Sequence, residues 1–129
     1  MNERYDRGMA KANELDQEQV SKMVGSLKEI APDLATYIIE FAFGDIYSRP
    51  NLDLKSRQIA NVAALTALGN AAPQLKVHIS GALNVGCSRA EIIEIIMQMA
   101  VYAGFPAAIN GIRIAKEVFQ ERDSKEKNP

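Results

Sequence analysis

SRAEIIEIIMQMAVYAG, residues 88–104, decides the fold class. Ser88 followed by Glu91 forms a capping box, in which each side chain satisfies a backbone amide that the first helical turn leaves without a carbonyl. Gly104 closes the stretch and Pro106 opens the next, so a helix is predicted over 89–103. Ile92, Ile93, Ile95, Ile96, Met97, Met99 and Val101 leave only Glu91, Glu94 and Gln98 as polar breaks. A helix apolar nearly all round needs burial on several sides, more than a chain of 129 residues readily supplies. A homo-oligomer is therefore expected.

Working outward, apolar residues recur three and four apart, with no sustained alternation bounded by hairpin turns. The expected class is all-α, a single-domain bundle of about six helices. Pro32 suits a first helical turn, and 33–48 places Leu34, Ile38, Phe41 and Ile46 near one side before Pro50 forbids continuation. Asp53 caps a helix that runs through Ile59, Val62, Ala63 and Leu65 to Gly69. Pro73 opens another, ending at Gly86, and Pro106 starts the last, ending near Glu121. Before Pro32 one helix is expected over 16–30, preceded by an arm over 3–14; RDSKEKNP, 122–129, reads as a solvated, frayed tail.

Composition narrows the function classes. Fifteen Lys and Arg stand against 16 Asp and Glu, for a formal charge of −1, and no basic cluster offers the footprint of a nucleic-acid binder. One cysteine cannot close an intrachain disulfide, and the polar opening MNERYDRG lacks the apolar region of a secretory signal. A cytoplasmic location and no membrane association are expected, since IIEIIMQMAVYAGF is too short to span a bilayer.

Three features carry chemistry. His78, the one histidine, lies between Val77 and Ile79, where it is either a general acid/base or a hydrogen-bonded structural residue. Cys87 precedes a helix N-terminus, which can activate a thiol, although a lone cysteine is often a small buried apolar residue. A helical rise of about 13 Å separates the two, too far for a thiol–imidazole pair. Between 40 and 57 stand Glu40, Asp45, Tyr47, Arg49, Asp53 and Arg57, which serve either as an arginine clamp for an anionic substrate or as caps and surface ion pairs. No metal-ligand spacing and no glycine-rich phosphate loop occurs.

RYDRGM (4–9), FAFGDIYSRPNLDLKSR (41–57), LKVHISGALNVGCSRAEIIEIIMQMAVYAGFPAA (75–108) and AKEVF (115–119) resemble, in order and spacing, the carboxymuconolactone decarboxylases. The resemblance covers nearly the whole chain. It implies an all-α subunit in a ring-like hexamer, often a trimer of dimers, and cofactor-free loss of CO2 from a carboxylated lactone in aromatic-acid catabolism. By position it makes His78 the proton donor and has Arg49 and Arg57 anchor carboxylates or the lactone oxygen. Asp45 would orient a partner, and Tyr47 and Tyr102 would line the pocket.

The same superfamily includes the alkylhydroperoxidase D type, marked by a Glu, a Cys-x-x-Cys and a His on one helical hairpin. In QIANVAALTALGNAAPQLKVH (58–78), Gln58 stands at the Glu position, and Asn70 and Pro73 fall at or near the cysteines. A dithiol peroxidase needs both sulfurs. Peroxiredoxin-like activity is thus the disfavoured alternative, and a non-catalytic ligand-binding oligomer is a third.

Overall fold

A computed structural model describes residues 2–127. These are mostly helical, with no strand among the described residues, as expected of the all-α class. The chain divides into two compact units, one ending at Leu54 and the other beginning at Lys55.

The first unit begins with α1, Glu3–Leu27, whose cap is Asn2: its side-chain oxygen accepts from the Tyr5 amide at 2.8 Å. Glu3 and Asp6 in the first turn add negative charge where the helix dipole favours it. At Asp16 the backbone is extended (φ −165°, ψ 91°), and the Asp16 carboxylate accepts from the Gln19 amide at 3.1 Å. Asp16 thus caps the second half of α1, which is the division expected between an arm over 3–14 and a helix from residue 16. The arm is no loose extension. It packs on the segment after α2, with Gly8 so close to the Ile39 carbonyl that a Cβ there would collide with it.

The helix α2, Pro32–Tyr37, runs directly into a π-helical segment, Ile38–Tyr47. Here the structure departs from the expected side of 33–48. Leu34, Phe41 and Ile46 are exposed, whereas Ala35, Ile39, Glu40, Phe43 and Gly44 are buried. The buried positions recur four apart, 35, 39 and 43 with 40 and 44 beside them, so the inward face lies one residue round from the expected one, on the side where α1 packs. Side chains take two of the segment's late carbonyls: Arg7 Nε donates to Gly44 at 2.8 Å, and Ser48 Oγ donates to Phe43 at 2.6 Å.

In the second unit, α3 (Leu54–Leu68), α4 (Ala72–Asn84), α5 (Arg89–Ala103) and α6 (Phe105–Lys127) surround a core of Val62, Leu75, Ile79, Ala82, Cys87, Ile92, Ile96, Ala115 and Val118. The capping box forms as expected, with Ser88 Oγ accepting from the Glu91 amide at 3.0 Å and Glu91 accepting from the Ser88 amide at 2.8 Å. Gly104 adopts φ 92°, a left-handed conformation that lets α6 follow α5 without a linker. Gly111 lets α6 approach closely, since a Cβ there would sit 2.8 Å from Ile96 and 3.0 Å from Thr66.

The last helix does not stop near Glu121. It continues to Lys127, because the residues assigned to a frayed tail have partners: Arg122 donates to the Ser80 carbonyl and to Asn84 Oδ1, both at 2.7 Å, and Asp123 pairs with Arg89 at 2.7 Å. Lys125 and Lys127 in the final turn suit the negative end of the helix dipole. The rest of the expected tail, 128–129, lies outside the described residues.

Candidate active site

His78 stands in the middle of α4, half-buried, one residue before the fully buried Ile79. Its Nδ1 lies 2.9 Å from Oε1 of Gln58 on α3. Gln58 is wholly buried, and its amide nitrogen has no hydrogen-bond partner. An unpaired buried donor of this kind costs about 1–3 kcal/mol. Because Oε1 carries no proton, the pair is bonded when Nδ1 holds the hydrogen, which leaves Nε2 with its lone pair. Burial lowers the proton affinity of His78 below its ordinary value of 6.5, so the resting imidazole is neutral near pH 7.

Arg57 adjoins Gln58 on α3 and is half-buried. A small apolar cavity of about 20 Å³ opens one helical turn before His78, lined by Leu65, Thr66, Leu75, Asn110 and Ile114 among others. It has room for about one water molecule. Tyr102 lies at the end of α5 and is 79% exposed.

The remaining expected site residues belong to the first unit. Asp45 pairs with two arginines of α1: Arg4 donates to both of its oxygens, at 3.0 and 2.7 Å, and Arg7 lies 3.5 Å away. The hydrogen bond from Arg4, aided by the charges of Arg4 and Arg7, holds the Asp45 carboxyl below its usual range. Tyr47 packs edge-on against Phe43, with ring centres 5.0 Å apart, and Arg49 is exposed just beyond the π-helical segment. Asn2 Nδ2 donates to the buried Glu40 at 2.9 Å.

Cys87 is buried, and burial followed by the nearby charge of Glu91 pushes its thiol up in pKa. The cysteine fills the core as a small apolar residue, not as a thiolate. Among the described residues no group of three His, Cys, Asp or Glu side chains is placed to hold a metal ion. No described helix is long and apolar enough to cross a membrane.

Gln58 was not read as a site residue from the sequence. Its signal is its place at the Glu position of the helical-hairpin pattern, twenty positions before the histidine. Arg4 and Arg7 were likewise missed as the partners of Asp45; nothing in the spacing of 4, 7 and 45 reveals that α1 docks there.

One imidazole on α4 against a buried amide on α3, with a single cysteine in the chain, is not the two-sulfur arrangement of a dithiol peroxidase. Residues 32–117 match the carboxymuconolactone decarboxylase family, and the chain belongs to that family. It is 32% identical over 120 residues to the 4-carboxymuconolactone decarboxylase of Acinetobacter baylyi, a match spanning 92% of this chain and 89% of that protein. It is 33% identical to an uncharacterised 15.0 kDa protein of Paracoccus denitrificans, over 76% of this chain and 74% of that one. The nitrosuccinic acid decarboxylase of Metarhizium robertsii is 32% identical over 65% of this chain and 58% of its own length. Two of these three relatives are thus named for loss of CO2.

Proposed function

We propose that the protein is a cofactor-free decarboxylase of a small anionic substrate, of the carboxylated-lactone or nitro-dicarboxylate kind, with His78 delivering the proton that replaces CO2. The observation that carries this reading is the Gln58–His78 pair, which holds the chain's one imidazole in a fixed pose at 2.9 Å. The names of the relatives support the reaction class and suggest two substrates with which to begin.

In this reaction the bond between the α carbon and the carboxylate breaks. Its electron pair stays on the carbon, delocalised into the adjoining electron-withdrawing group, and CO2 departs. The imidazolium Nε2–H then supplies the proton for the new C–H bond, and the neutral imidazole recovers a proton from solvent. The arriving anion raises the proton affinity of His78, so the ring charges when substrate is bound. Apolar surroundings favour neutral CO2 over the carboxylate. Arg57 supplies a cation for a remaining carboxylate or the lactone oxygen, and Tyr102 holds the rest of the substrate; Arg49 and Tyr47 are assigned to substrate by the family resemblance alone. Asp45 orients its arginine partners and takes no part in proton transfer.

The working form is a homo-oligomer, a hexamer on the family's pattern. Val101, Tyr102 and Phe105, at 77%, 79% and 75% exposure, form an apolar surface that suits a second copy of the chain. The buried thiol argues against peroxidase chemistry at Cys87.

The test is CO2 release from 4-carboxymuconolactone and from nitrosuccinic acid, with no added cofactor. His78→Ala should lower kcat by about 10²- to 10⁴-fold, the usual worth of a positioned acid. Arg57→Met should act mainly by raising KM. Full activity in His78→Ala removes the proton-donor role, and binding without turnover by the wild type favours a ligand-binding protein.

A further inference from the structure

We propose that Gln58 is a positioning residue: it holds the His78 imidazole with its proton on Nδ1, so that Nε2 is the nitrogen that exchanges protons with the substrate. The catalytic consequence rests on the decarboxylase reading above; the placement of the proton does not.

Three buried polar side chains occur among the described residues, and two are satisfied. Thr66 Oγ1 donates to the Val62 carbonyl at 2.7 Å, and Glu40 accepts from Asn2 at 2.9 Å. Gln58 differs: it is wholly buried, its nitrogen has no partner, and its oxygen has one, His78 Nδ1. Packing alone gives no reason for an amide here, because a methionine of similar volume would fill the site without leaving a donor unpaired. The amide is explained by the bond it makes.

That bond has two consequences. An amide oxygen only accepts, so it selects the Nδ1–H form of the ring and points the labile proton position at Nε2. An amide is also uncharged, so it positions the imidazole without holding it as imidazolium, which a carboxylate at this distance would do. On α4, Lys76 is taken by Glu121 and Glu117 of α6; on α5, Glu91 is held by Ser88 and Lys55; Arg57 adjoins on α3. Burial is the cause of the ring's lowered proton affinity.

His78 is the one histidine in the chain, so a ¹⁵N NMR spectrum of the labelled protein reports a single imidazole without assignment. At pH 8 the wild type should show a protonated Nδ1 and an unprotonated Nε2. Gln58→Met should lose that preference and lower kcat more than it changes KM, while its thermal midpoint stays level or rises. Gln58→Glu should keep the Nδ1–H form and raise the imidazole titration midpoint by about one unit, a tenfold gain in proton affinity. A wild-type ring protonated on Nε2 would overturn the proposal, as would an identical tautomer and midpoint in Gln58→Met. The Nδ1–H pattern without turnover of any carboxylate upholds the positioning role and counts against the decarboxylase reading alone.

Discussion

His78 and Cys87, nine positions apart, respond to burial in opposite directions, and both end neutral. Burial disfavours charge, so it lowers the proton affinity of a base and raises that of a thiol. For the imidazole this has a consequence for stability. The unfolded ring titrates near 6.5 and the folded ring below that, so between the two midpoints the unfolded chain binds more protons. Stability should therefore rise with pH through that window and carry no His78 contribution above it. Denaturant unfolding of wild type and His78→Gln at several pH values checks this. The stability difference between them should be constant above pH 7 and move in favour of the variant as pH falls through about 6.5. A difference that is flat from pH 5 to 8 would show that the ring is not shielded from water.

At the scale of elements, α1 and the π-helical segment meet through glycines, and one helix offers a matched pair of substitutions. A Cβ on Gly8 collides with the Ile39 backbone, whereas a Cβ on Gly25 meets nothing within 4 Å. Alanine gains up to about 1 kcal/mol over glycine inside a helix, so propensity alone predicts that both variants are stabilised. Overpacking against backbone costs about 1–3 kcal/mol and reverses the sign at the first position. Gly8→Ala should lower the thermal midpoint and Gly25→Ala should raise it or leave it level; the same sign for both would show that α1 does not press on Ile39. The ends of most helices were legible in the sequence for a local reason: Asn2 aside, their caps and stops include Pro32, Gly69, Ser88, Glu91 and Gly104, whose chemistry acts within one turn. The inward side of 33–48 was not legible, because apolar residues stand on both sides of the segment and the side that is buried is the one α1 covers. The reach of α6 to Lys127 depends on Arg122 and Asp123 meeting Ser80, Asn84 and Arg89, and these meetings are long-range. The site divides in the same way. A histidine is visible as a candidate wherever it stands, whereas the amide that gives it a tautomer becomes visible only when α3 and α4 are paired.

At the scale of the whole molecule, the apolar character of α5 is more than the second unit buries. Ile92 and Ile96 are inside, while Met97, Val101 and Tyr102 of α5, with Phe105 and Ile109 of α6, remain exposed at 48–79%. Large exposed apolar side chains grouped along two consecutive helices are uncommon on a monomer and mark a surface meant for contact. In the first unit, Leu34, Tyr37 and Phe41, at 48%, 63% and 59%, make a second such stripe at helical spacing. A hexamer of the 14.2 kDa chain, six times 14.2 or about 85 kDa, is the expected species in light scattering at micromolar concentration. Lysine in place of Val101 and Phe105 should give smaller assemblies with the helical circular dichroism retained, because both side chains are three-quarters exposed and their loss leaves the core intact. Should the variant lose decarboxylation together with its mass, the oligomer completes the site; should it dissociate and keep full turnover, the site is held within one chain. A wild type that is monomeric across the micromolar range removes the oligomer, and the exposed stripes must then face a different partner.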